Sequence, residues 1–417
     1  MQTTIHKGMH PYRWVIFSLL AVAYLWAFFQ RVSTGIITPY LMVDFNIDEL
    51  AVGFIASACF YSYTIMQIPS GMLADRFGAR RLVTLSLLCT AASSWLFTLS
   101  QSLFTAVLSR ILVGFGISLI LVPSLTAFSH WFDKKQNGLS CSLIMALTGG
   151  GLLIAGTPLA WGSAAFGWRT CFQVGTFFAL ALALAVWLLV RDTPAEKKLP
   201  PVEPVSPSTT RTQSIPFRQA FSLLLHSRNY WSIAVWCLMN GALFYSFAGL
   251  WAGPYLMDSY GMTPVEAGSI ISLFAIGQVT GPLCFGILSG LLPSRTLLLS
   301  GSMLFVLADV MILWMFDGNL PFSVLVCCFI AYTFFVSGPS GLALAAVKEG
   351  FPSGMVGTAS SMVYIMNMLG SLIFQPISGL LISSSQGAYS LLFILLACMS
   401  IIAFISCLFN ATSNKHI

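Results

Sequence analysis

Twelve long apolar runs are the feature of this sequence that most limits its fold. They cover about residues 14–38, 51–72, 82–100, 104–128, 139–161, 170–190, 230–257, 266–289, 296–316, 322–347, 355–383 and 388–409. Each run is long enough to span a bilayer, because about 20 helical residues cross its hydrocarbon. Only 8% of the 417 residues are charged and 57% are hydrophobic, which excludes a soluble globular protein. The sequence therefore predicts an all-α membrane protein with twelve transmembrane helices, embedded in a lipid bilayer.

The basic residues predict how the chain is oriented in the membrane. If the N-terminus is cytoplasmic, 16 of the 19 Lys and Arg residues fall in cytoplasmic loops, Arg169 falls in an outer loop, and Arg31 and Arg110 lie within apolar runs. Short loops rich in Lys and Arg remain on the cytoplasmic side of a membrane. Both termini are therefore predicted to be cytoplasmic. The net charge of +6 is explained by this bias, so we predict no nucleic-acid partner.

The ten cysteines form no C-x-x-C pair and are not accompanied by paired histidines. We therefore predict neither a metal site nor a disulfide framework. The sequence also has no G-x-x-x-x-G-K-[ST] loop, the motif that cradles nucleotide phosphates. No cofactor is predicted.

A charged turn rich in glycine lies between the second and third apolar runs. It reads GMLADRFGARR over residues 71–81, where the glycines permit a tight reversal and the acid can cap or pair with a helix end. This turn resembles the loop between helices 2 and 3 of the major facilitator superfamily, whose pattern is G-x-x-x-D-R-x-G-R-[RK]; Ala79 departs from the pattern. The resemblance implies secondary transport by two six-helix halves and a cytoplasmic conformational latch, here Gly71, Asp75, Arg76, Gly78, Arg80 and Arg81.

The two halves of the chain look like copies of one unit. Gly71 and Arg80 recur as Gly286 and Arg295, an offset of 215 residues, and Pro123-Ser124 recurs as Pro339-Ser340 at an offset of 216. Matched offsets predict a parallel repeat of six helices. We predict an N-terminal half at 1–190, a proline-rich cytoplasmic linker at 191–228 and a C-terminal half at 229–417. The copy has lost the acid and its arginine, so the latch is expected mainly in the first half.

Other segments extend the resemblance over nearly the whole chain. The sequence RILVGFG at 110–116 resembles the R-x-x-x-G-x-G element of the superfamily, and WFDKK at 131–135 resembles its W-F-x-[KR]-[KR] turn. The segments FGWR at 166–169 and RDTP at 191–194 resemble those of its organic-anion and nitrate-porter-like branches. Together they point to the superfamily without naming a solute.

Arg31 is the best candidate for binding that solute. A charge inside the membrane is costly and rarely persists there without a function. A guanidinium offers two parallel N–H donors to a carboxylate or phosphate, and the organic-anion branch places such an arginine in this helix. Gln30 replaces the acid that usually precedes it. Two other readings remain open: Arg31 extends towards the membrane surface, or it pairs with Asp44. Residues expected to join it from the first half are Tyr24, Gln30, Thr34 and Tyr61.

Neutral polar residues of the second half are expected to complete the site. In the eleventh run Ser360, Tyr364, Asn367, Ser371, Gln375 and Ser378 repeat every three or four residues, which predicts one polar face. Tyr364 and Asn367 of this face, together with Asn240, Tyr245 and Gln278, are predicted to bind substrate. The alternative is that these side chains only form hydrogen bonds between helices.

Proton coupling has two candidate residues, Arg110 and Asp309. The element that contains Arg110 is linked in the superfamily to both proton movement and helix packing. Leu119 stands where the anion branch often carries a glutamate, which leaves Asp309 as the one acid in the interior of the runs. The resemblance places Asp309 on a peripheral helix, so a structural role is favoured.

These observations predict a secondary transporter, monomeric and without enzymatic activity, in the bacterial inner membrane. It would move a small anionic or zwitterionic organic solute by alternating access, with proton-coupled uptake as the leading direction. The first alternative is a proton-driven exporter of amphipathic compounds, suggested by Trp26, Phe28, Tyr61, Tyr63 and Trp251. A membrane sensor would need an added cytoplasmic domain, and an intramembrane enzyme would need a polar triad or a metal cluster. The sequence shows neither feature.

Overall fold

The computed structural model describes residues 11–132, 140, 143–197, 222–291, 295–350, 356–385 and 387–411. Within these residues twelve helices are long and apolar enough to cross a membrane. We number them α1 to α12: Tyr12–Phe45, Glu49–Gln67, Arg76–Leu99, Leu103–Trp131, Leu143–Phe166, Trp168–Leu189, Arg228–Tyr260, Pro264–Leu291, Arg295–Met315, Phe322–Val347, Ala359–Ser384 and Ser390–Leu408. The prediction of twelve spans is confirmed.

Several helices are interrupted: some at a glycine, and α7 by a π-helical segment. Helices α2 and α3 form one helical stretch, Glu49–Leu99, which turns at Gly78. Helix α4 consists of Leu103–Ser118 and Leu121–Trp131, and α5 contains Thr148–Ala155 and Thr157–Phe166, joined at Gly156. Helix α7 consists of Arg228–Leu243, a π-helical segment Phe244–Trp251 and Ala252–Tyr260. Helix α10 consists of Phe322–Ser337 and Ser340–Gly350.

The helices form two six-helix halves, α1–α6 and α7–α12, with matching internal contacts. In the first half Gly151 of α5 lies against the backbone of α1. A Cβ atom added at Gly151 would lie 3.0 Å from the carbonyl oxygen of Leu25. In the second half Asn367 of α11 lies in the same way against Gly241 of α7. Both members of the second pair are 216 residues beyond their counterparts, which agrees with the offset predicted from the sequence motifs.

The two ends of the helix bundle differ in charge. One end, which we call the basic end, carries Arg13, Arg76, Arg80, Arg81, Lys197, Arg228 and Arg295 at the described helix ends and loops. The opposite end, which we call the acidic end, carries Asp44, Asp48, Glu49, Asp258, Glu266 and Asp317 together with Arg169. The basic ends of the two halves therefore lie on the same side of the bundle.

The halves approach most closely near the acidic end, through glycines. A Cβ built on Gly35 of α1 would lie 2.8 Å from the carbonyl oxygen of Gly249 in α7, and one built on Gly53 of α2 would lie 2.7 Å from that of Gln375 in α11. Gly268 of α8 lies against α5: a Cβ atom added at Gly268 would lie 2.6 Å from the Cβ of Ala160 and 3.0 Å from the carbonyl oxygen of Gly156. Near the basic end, built Cβ atoms at Gly71, Gly286, Gly290 and Gly341 have no such neighbour within 4 Å.

Most of the predicted linker, residues 198–221, lies outside the described residues. The described part at its start forms a short 3-10 helix, Pro194–Lys197. Residues 133–139, which hold part of the W-F-x-[KR]-[KR] turn, also lie outside. The division into halves and linker at residues 190 and 228 remains a prediction.

Candidate functional site

Arg31 lies inside the protein, in the middle of α1. It is only 2% exposed, and its Nε and Nη2 atoms have no hydrogen-bond partner among the described residues. The two alternative readings of Arg31 do not hold. It does not reach the surface, and Asp44 instead forms an ion pair with Arg169 and accepts a hydrogen bond from Trp168 Nε1 at 2.8 Å. A buried guanidinium with unpartnered donors is costly unless an anionic ligand completes it.

Aromatic side chains enclose the guanidinium. The Cζ atom of Arg31 lies 4.2 Å from the centre of the Tyr63 ring, 5.9 Å from that of Tyr24 and 6.0 Å from that of Phe28. The closest of these contacts has cation–π geometry, which stabilises a positive charge without using its N–H donors. The hydroxyls of Tyr24 and Tyr245 also lie within hydrogen-bonding reach of the guanidinium. The aromatic residues thus hold Arg31 in place, and its Nε and Nη2 donors have no partner among the described residues.

The second half contributes two further tyrosines to the same cluster. The hydroxyl of Tyr364 in α11 lies 3.3 Å from the hydroxyl of Tyr63 in α2. Tyr245 of α7 lies beside Arg31, and its ring packs edge-on against Phe60 of α2 at 4.7 Å. We call the set Tyr24, Arg31, Tyr63, Tyr245 and Tyr364 the Arg31 cluster. The Arg31 cluster therefore joins helices α1 and α2 of the first half to α7 and α11 of the second half.

The π-helical segment of α7 supports this arrangement. Tyr245, which belongs to the Arg31 cluster, lies in the first turn of that segment. One turn later, Gly249 lies against Gly35 of α1. A π-helical turn is wider than an α-helical turn and often marks a functional site. No pattern in the sequence had indicated it.

Two polar residues predicted for the site from the first half have other positions. Gln30 is buried and donates from Nε2 to Ser94 Oγ of α3 at 2.8 Å, so its amide points away from the tyrosines. Tyr61 is 39% exposed. Tyr63, two residues further on and therefore on the opposite side of α2, occupies the place predicted for Tyr61. Thr34 is buried, and its Oγ1 atom has no partner among the described residues.

The predicted amides of the second half mostly tie helices together. Asn240 donates to the carbonyl oxygen of Val336 at 2.6 Å, and Asn367 donates to that of Cys237 at 3.0 Å. Gln278 donates to Thr148 Oγ1 of α5 at 3.2 Å and accepts from Ser337. The structure thus favours the helix-packing alternative for Asn240 and Gln278. Asn367 is half-buried on the same face of α11 as Tyr364, one turn away.

The two predicted coupling residues lie outside the Arg31 cluster. Arg110 is fully buried and donates from Nη2 to the carbonyl oxygen of Gln30 at 2.6 Å, which joins α4 to α1. Asp309 of α9 is 7% exposed and lies beside Cys328 of α10. Its Oδ2 atom has no hydrogen-bond partner within the described part of the chain.

The charged turn is held by the end of α6. Gly78 has φ 74° and ψ 166°, and a Cβ at this position would collide with the carboxylate of Asp192. That carboxylate accepts the backbone N–H of Arg80 at 2.8 Å, while Arg80 Nε donates to the carbonyl oxygen of Trp187 at 2.8 Å. The side chain of Asp75 is outside the described part of the structure, and Arg76 and Arg81 are exposed. The conformational latch remains a prediction.

Two motifs that are weak in sequence meet at this place. Trp131 at the end of α4 donates from Nε1 to the carbonyl oxygen of Arg191 at 2.9 Å, next to Asp192. At the acidic end, Trp168 and Arg169 of the FGWR segment hold Asp44. The recurring motifs therefore connect helix ends within one half. Their roles are visible only once the helices are packed together.

The aromatic residues that suggested an exporter are dispersed. Phe28 and Tyr63 lie beside Arg31, but Trp26 stacks on Phe29 at 4.8 Å and Trp251 donates to Ser378 Oγ at 2.8 Å. With Tyr61 exposed, these five side chains do not form a single lining.

A twelve-helix bundle whose two halves meet at a buried polar cluster is the architecture of a membrane transport protein. The sequence model of the Major Facilitator Superfamily matches residues 20–253 and 242–416. The chain belongs to this superfamily, as the charged turn predicted, and it is a multi-pass integral membrane protein.

Similar proteins agree with this assignment. A "probable hexose phosphate transport protein" of Chlamydia pneumoniae is 25% identical over 390 residues, which cover 86% of this chain and 83% of that protein. A "probable galactarate/D-glucarate transporter" of Escherichia coli K12 is 21% identical and covers 98% of this chain and 97% of its own length. The crystal structure of a bacterial homologue of the human lysosomal transporter Spinster has the same fold, with a TM-score of 0.76 at 16% identity and 96% coverage of both chains.

Proposed function

We propose that this protein is a secondary transporter that takes up a small organic anion by alternating access. The observation that carries the proposal is the buried guanidinium of Arg31, whose Nε and Nη2 donors are unpartnered between the two halves. A carboxylate or phosphate supplies the two acceptor oxygens that such a group needs. The relatives named for sugar acids and hexose phosphate support the same class of solute.

The conformation supports alternating access. The halves are in close contact through glycines at the acidic end, and built Cβ atoms at four glycines near the basic end have no neighbour within 4 Å. On the orientation predicted from the positive-inside bias, with the basic end cytoplasmic, this is a state closed towards the outside. Rocking of one half against the other around the Arg31 cluster would expose the solute to each side in turn.

Proton coupling through the solute fits the described residues. Asp309 lies on α9 and outside the Arg31 cluster, and Gln30 and Leu119 stand where the anion branch carries acids. A carboxylate that binds Arg31 as the anion and is released as the neutral acid carries the proton itself, so it needs no acid on the protein. The protein is proposed to act as a monomer in a bacterial inner membrane.

Transport by the purified protein tests the proposal. A thermal-shift screen against carboxylates, amino acids and sugar acids would first select ligands. Proteoliposomes with an imposed pH gradient would then be assayed for accumulation of each selected solute. Saturable accumulation of an organic anion supports the proposal. Binding of neutral or cationic compounds alone contradicts it, and accumulation that depends on sodium and is unaffected by a protonophore rules out proton coupling.

The orientation has its own test. A fluorescent protein that matures only in the cytoplasm, fused after Ile417, is expected to fluoresce. A dark fusion with full membrane insertion would contradict the predicted topology.

A further inference from the structure

The charges around the Arg31 cluster limit what can bind there. In the interior of the twelve spans, away from helix ends, the only Lys or Arg residues in the sequence are Arg31 and Arg110. Arg110 is also fully buried and donates from Nη2 to the carbonyl oxygen of Gln30 at 2.6 Å, while its Nε and Nη1 atoms have no partner among the described residues. The ionisable side chain beside it is Cys59 and not a tyrosine of the Arg31 cluster, so Arg110 is not counted in the cluster. Asp309, the acid in that interior, lies on α9 beside Cys328. The cluster therefore presents one positive charge and no negative charge.

The groups opposite Arg31 are neutral. Tyr245 and Tyr364 bring phenol hydroxyls from the second half. Asn367, one turn from Tyr364, is neutral as well, and its Nδ2 already donates to the carbonyl oxygen of Cys237 at 3.0 Å. Farther along this face of α11, Gln375 donates from Nε2 to the carbonyl oxygen of Tyr245 at 2.9 Å, and its buried Oε1 has no partner among the described residues. Such groups can bind hydroxyls of a solute, but they cannot neutralise a second carboxylate.

We infer that the solute carries a single negative charge: the site selects a hydroxylated monocarboxylate over a dicarboxylate or a sugar phosphate. The inference rests on the proposed function and makes its solute class narrower. A monoanion cancels the charge of Arg31 within a buried site. A dianion leaves one negative charge without a partner, which is unfavourable in a medium of low dielectric constant. The solute would thus differ from galactarate, D-glucarate and hexose phosphate, the compounds in the names of relatives.

Matched pairs of ligands test the inference in the wild-type protein. Aldonate and aldarate anions of three, four and six carbons, such as D-gluconate and D-glucarate, share a skeleton and differ by the second carboxylate. Dissociation constants would be measured at pH 7.5, where both carboxylates are ionised, with glucose 6-phosphate as a further dianion. In each pair that binds, the monoacid is expected to bind at least tenfold more tightly.

The outcomes separate this inference from the proposed function. Diacid binding that equals or exceeds monoacid binding overturns the selection for one charge and leaves organic-anion transport intact. If no anion of any kind binds while a neutral or cationic solute does, both the proposed function and this inference fail.

A change of charge in the site provides a second test. Tyr364→Lys adds a cation from the second half, next to Tyr63, and Tyr364→Phe is the matched control that keeps the ring and adds no charge. The ratio of diacid to monoacid affinity is expected to rise at least tenfold with lysine and to stay within about twofold with phenylalanine. An unchanged ratio in a folded lysine variant would count against the location of the site. The comparison of ligand pairs in the wild type is decisive even if this variant does not fold.

Discussion

The carboxylate of Asp192 accepts the backbone N–H of Arg80 at 2.8 Å, across 112 residues of sequence. This contact places an acid at the N-terminal end of α3, just after the turn at Gly78. An acidic acceptor at that position satisfies an unpaired N–H and interacts favourably with the helix dipole. The charged turn, which in sequence looks like an isolated motif, is therefore anchored to the end of α6.

We predict that Asp192→Ala destabilises the protein and lowers its transport rate. Loss of such a capping acceptor costs about 1 kcal/mol. Asp192→Asn keeps an acceptor oxygen, so a smaller effect is expected. Thermal unfolding in detergent and initial rates of uptake would measure both changes. Glu196→Gln is the control, because Glu196 is exposed on the neighbouring 3-10 helix. Equal unfolding temperatures for Asp192→Ala and Glu196→Gln would show that the contact contributes nothing.

Arg31 is predicted to determine solute affinity. A hydrogen bond to a charged group is worth about 1.5–3 kcal/mol, so Arg31→Ala should weaken binding about tenfold to a hundredfold. Arg31→Lys keeps the charge but loses the planar contact with Tyr63 at 4.2 Å and the paired donors, so its affinity should lie between those of alanine and arginine.

The dissociation constant of the folded Arg31→Ala protein decides this prediction. A value within about twofold of wild type would remove the main support for anion binding. Folding would be checked by gel filtration, since loss of a buried side chain that packs against three aromatic rings can also reduce stability.

Gly53→Ala is predicted to disfavour closure of the acidic end. The added methyl would lie 2.7 Å from the carbonyl oxygen of Gln375 and 2.9 Å from the Cα atom of Pro376, both backbone atoms that cannot rotate away. Helices α2 and α11 would have to separate. Overpacking of this kind costs about 1–3 kcal/mol, so the ratio of closed to open molecules should fall about tenfold.

Electron-resonance distances can follow this shift. Spin labels would replace the exposed Gln101 and Asn319, one in each half at the acidic end, after replacement of the native cysteines. Longer distances are expected in Gly53→Ala. The control is Gly286→Ala, since a Cβ there meets no atom within 4 Å. Identical distance distributions in wild type and Gly53→Ala would contradict the prediction.

Asp309→Asn is predicted to preserve coupled transport, because Asp309 lies on α9 beside Cys328 and outside the Arg31 cluster. Two assays distinguish a coupling role from a structural one. Accumulation driven by a pH gradient and exchange of labelled for unlabelled solute should both remain near wild-type rates. A variant that still exchanges solute but no longer accumulates it would identify Asp309 as the proton carrier.

Much of the fold could be predicted from the sequence, because membrane spans follow from apolar length alone. The repeat was also predictable, since Gly71 and Gly286 keep their spacing to Arg80 and Arg295. Arg31 could be singled out because a charge within an apolar helix is costly and rarely persists there without a function. These features are local in sequence or depend on composition.

The neighbours of Arg31 were harder to predict. Tyr61 and Tyr63 are equally plausible in sequence, and only the rotation of α2 against α1 decides which tyrosine meets the guanidinium. Gln278 has the chemistry of a binding residue, yet Thr148 and Ser337 already occupy its amide. The partner of the charged turn, Asp192, follows α6 and is thus separated from the turn by the helices α3 to α6. Each of these contacts depends on how segments distant in sequence pack together, and the residue pattern of a single helix does not predict that packing.

Most of the glycine contacts between the halves at the acidic end are to backbone atoms, as at Gly35 and Gly53. The ion pair between Arg169 and Asp44 joins α6 to α1 and so stays within one half. Parting the halves there need not break it. The described contacts between the halves at this end are therefore uncharged: close van der Waals packing, together with hydrogen bonds between Thr157 of α5 and Ser272 of α8 at 2.8 and 2.9 Å. Shifting a two-state equilibrium from 1:99 to 99:1 takes about 5.5 kcal/mol of differential affinity. Under the proposed function, a solute bound by one guanidinium and a few hydroxyls would supply a large part of that energy. Binding of a small molecule would then be enough to shift a protein of 417 residues between its outward-open and inward-open states.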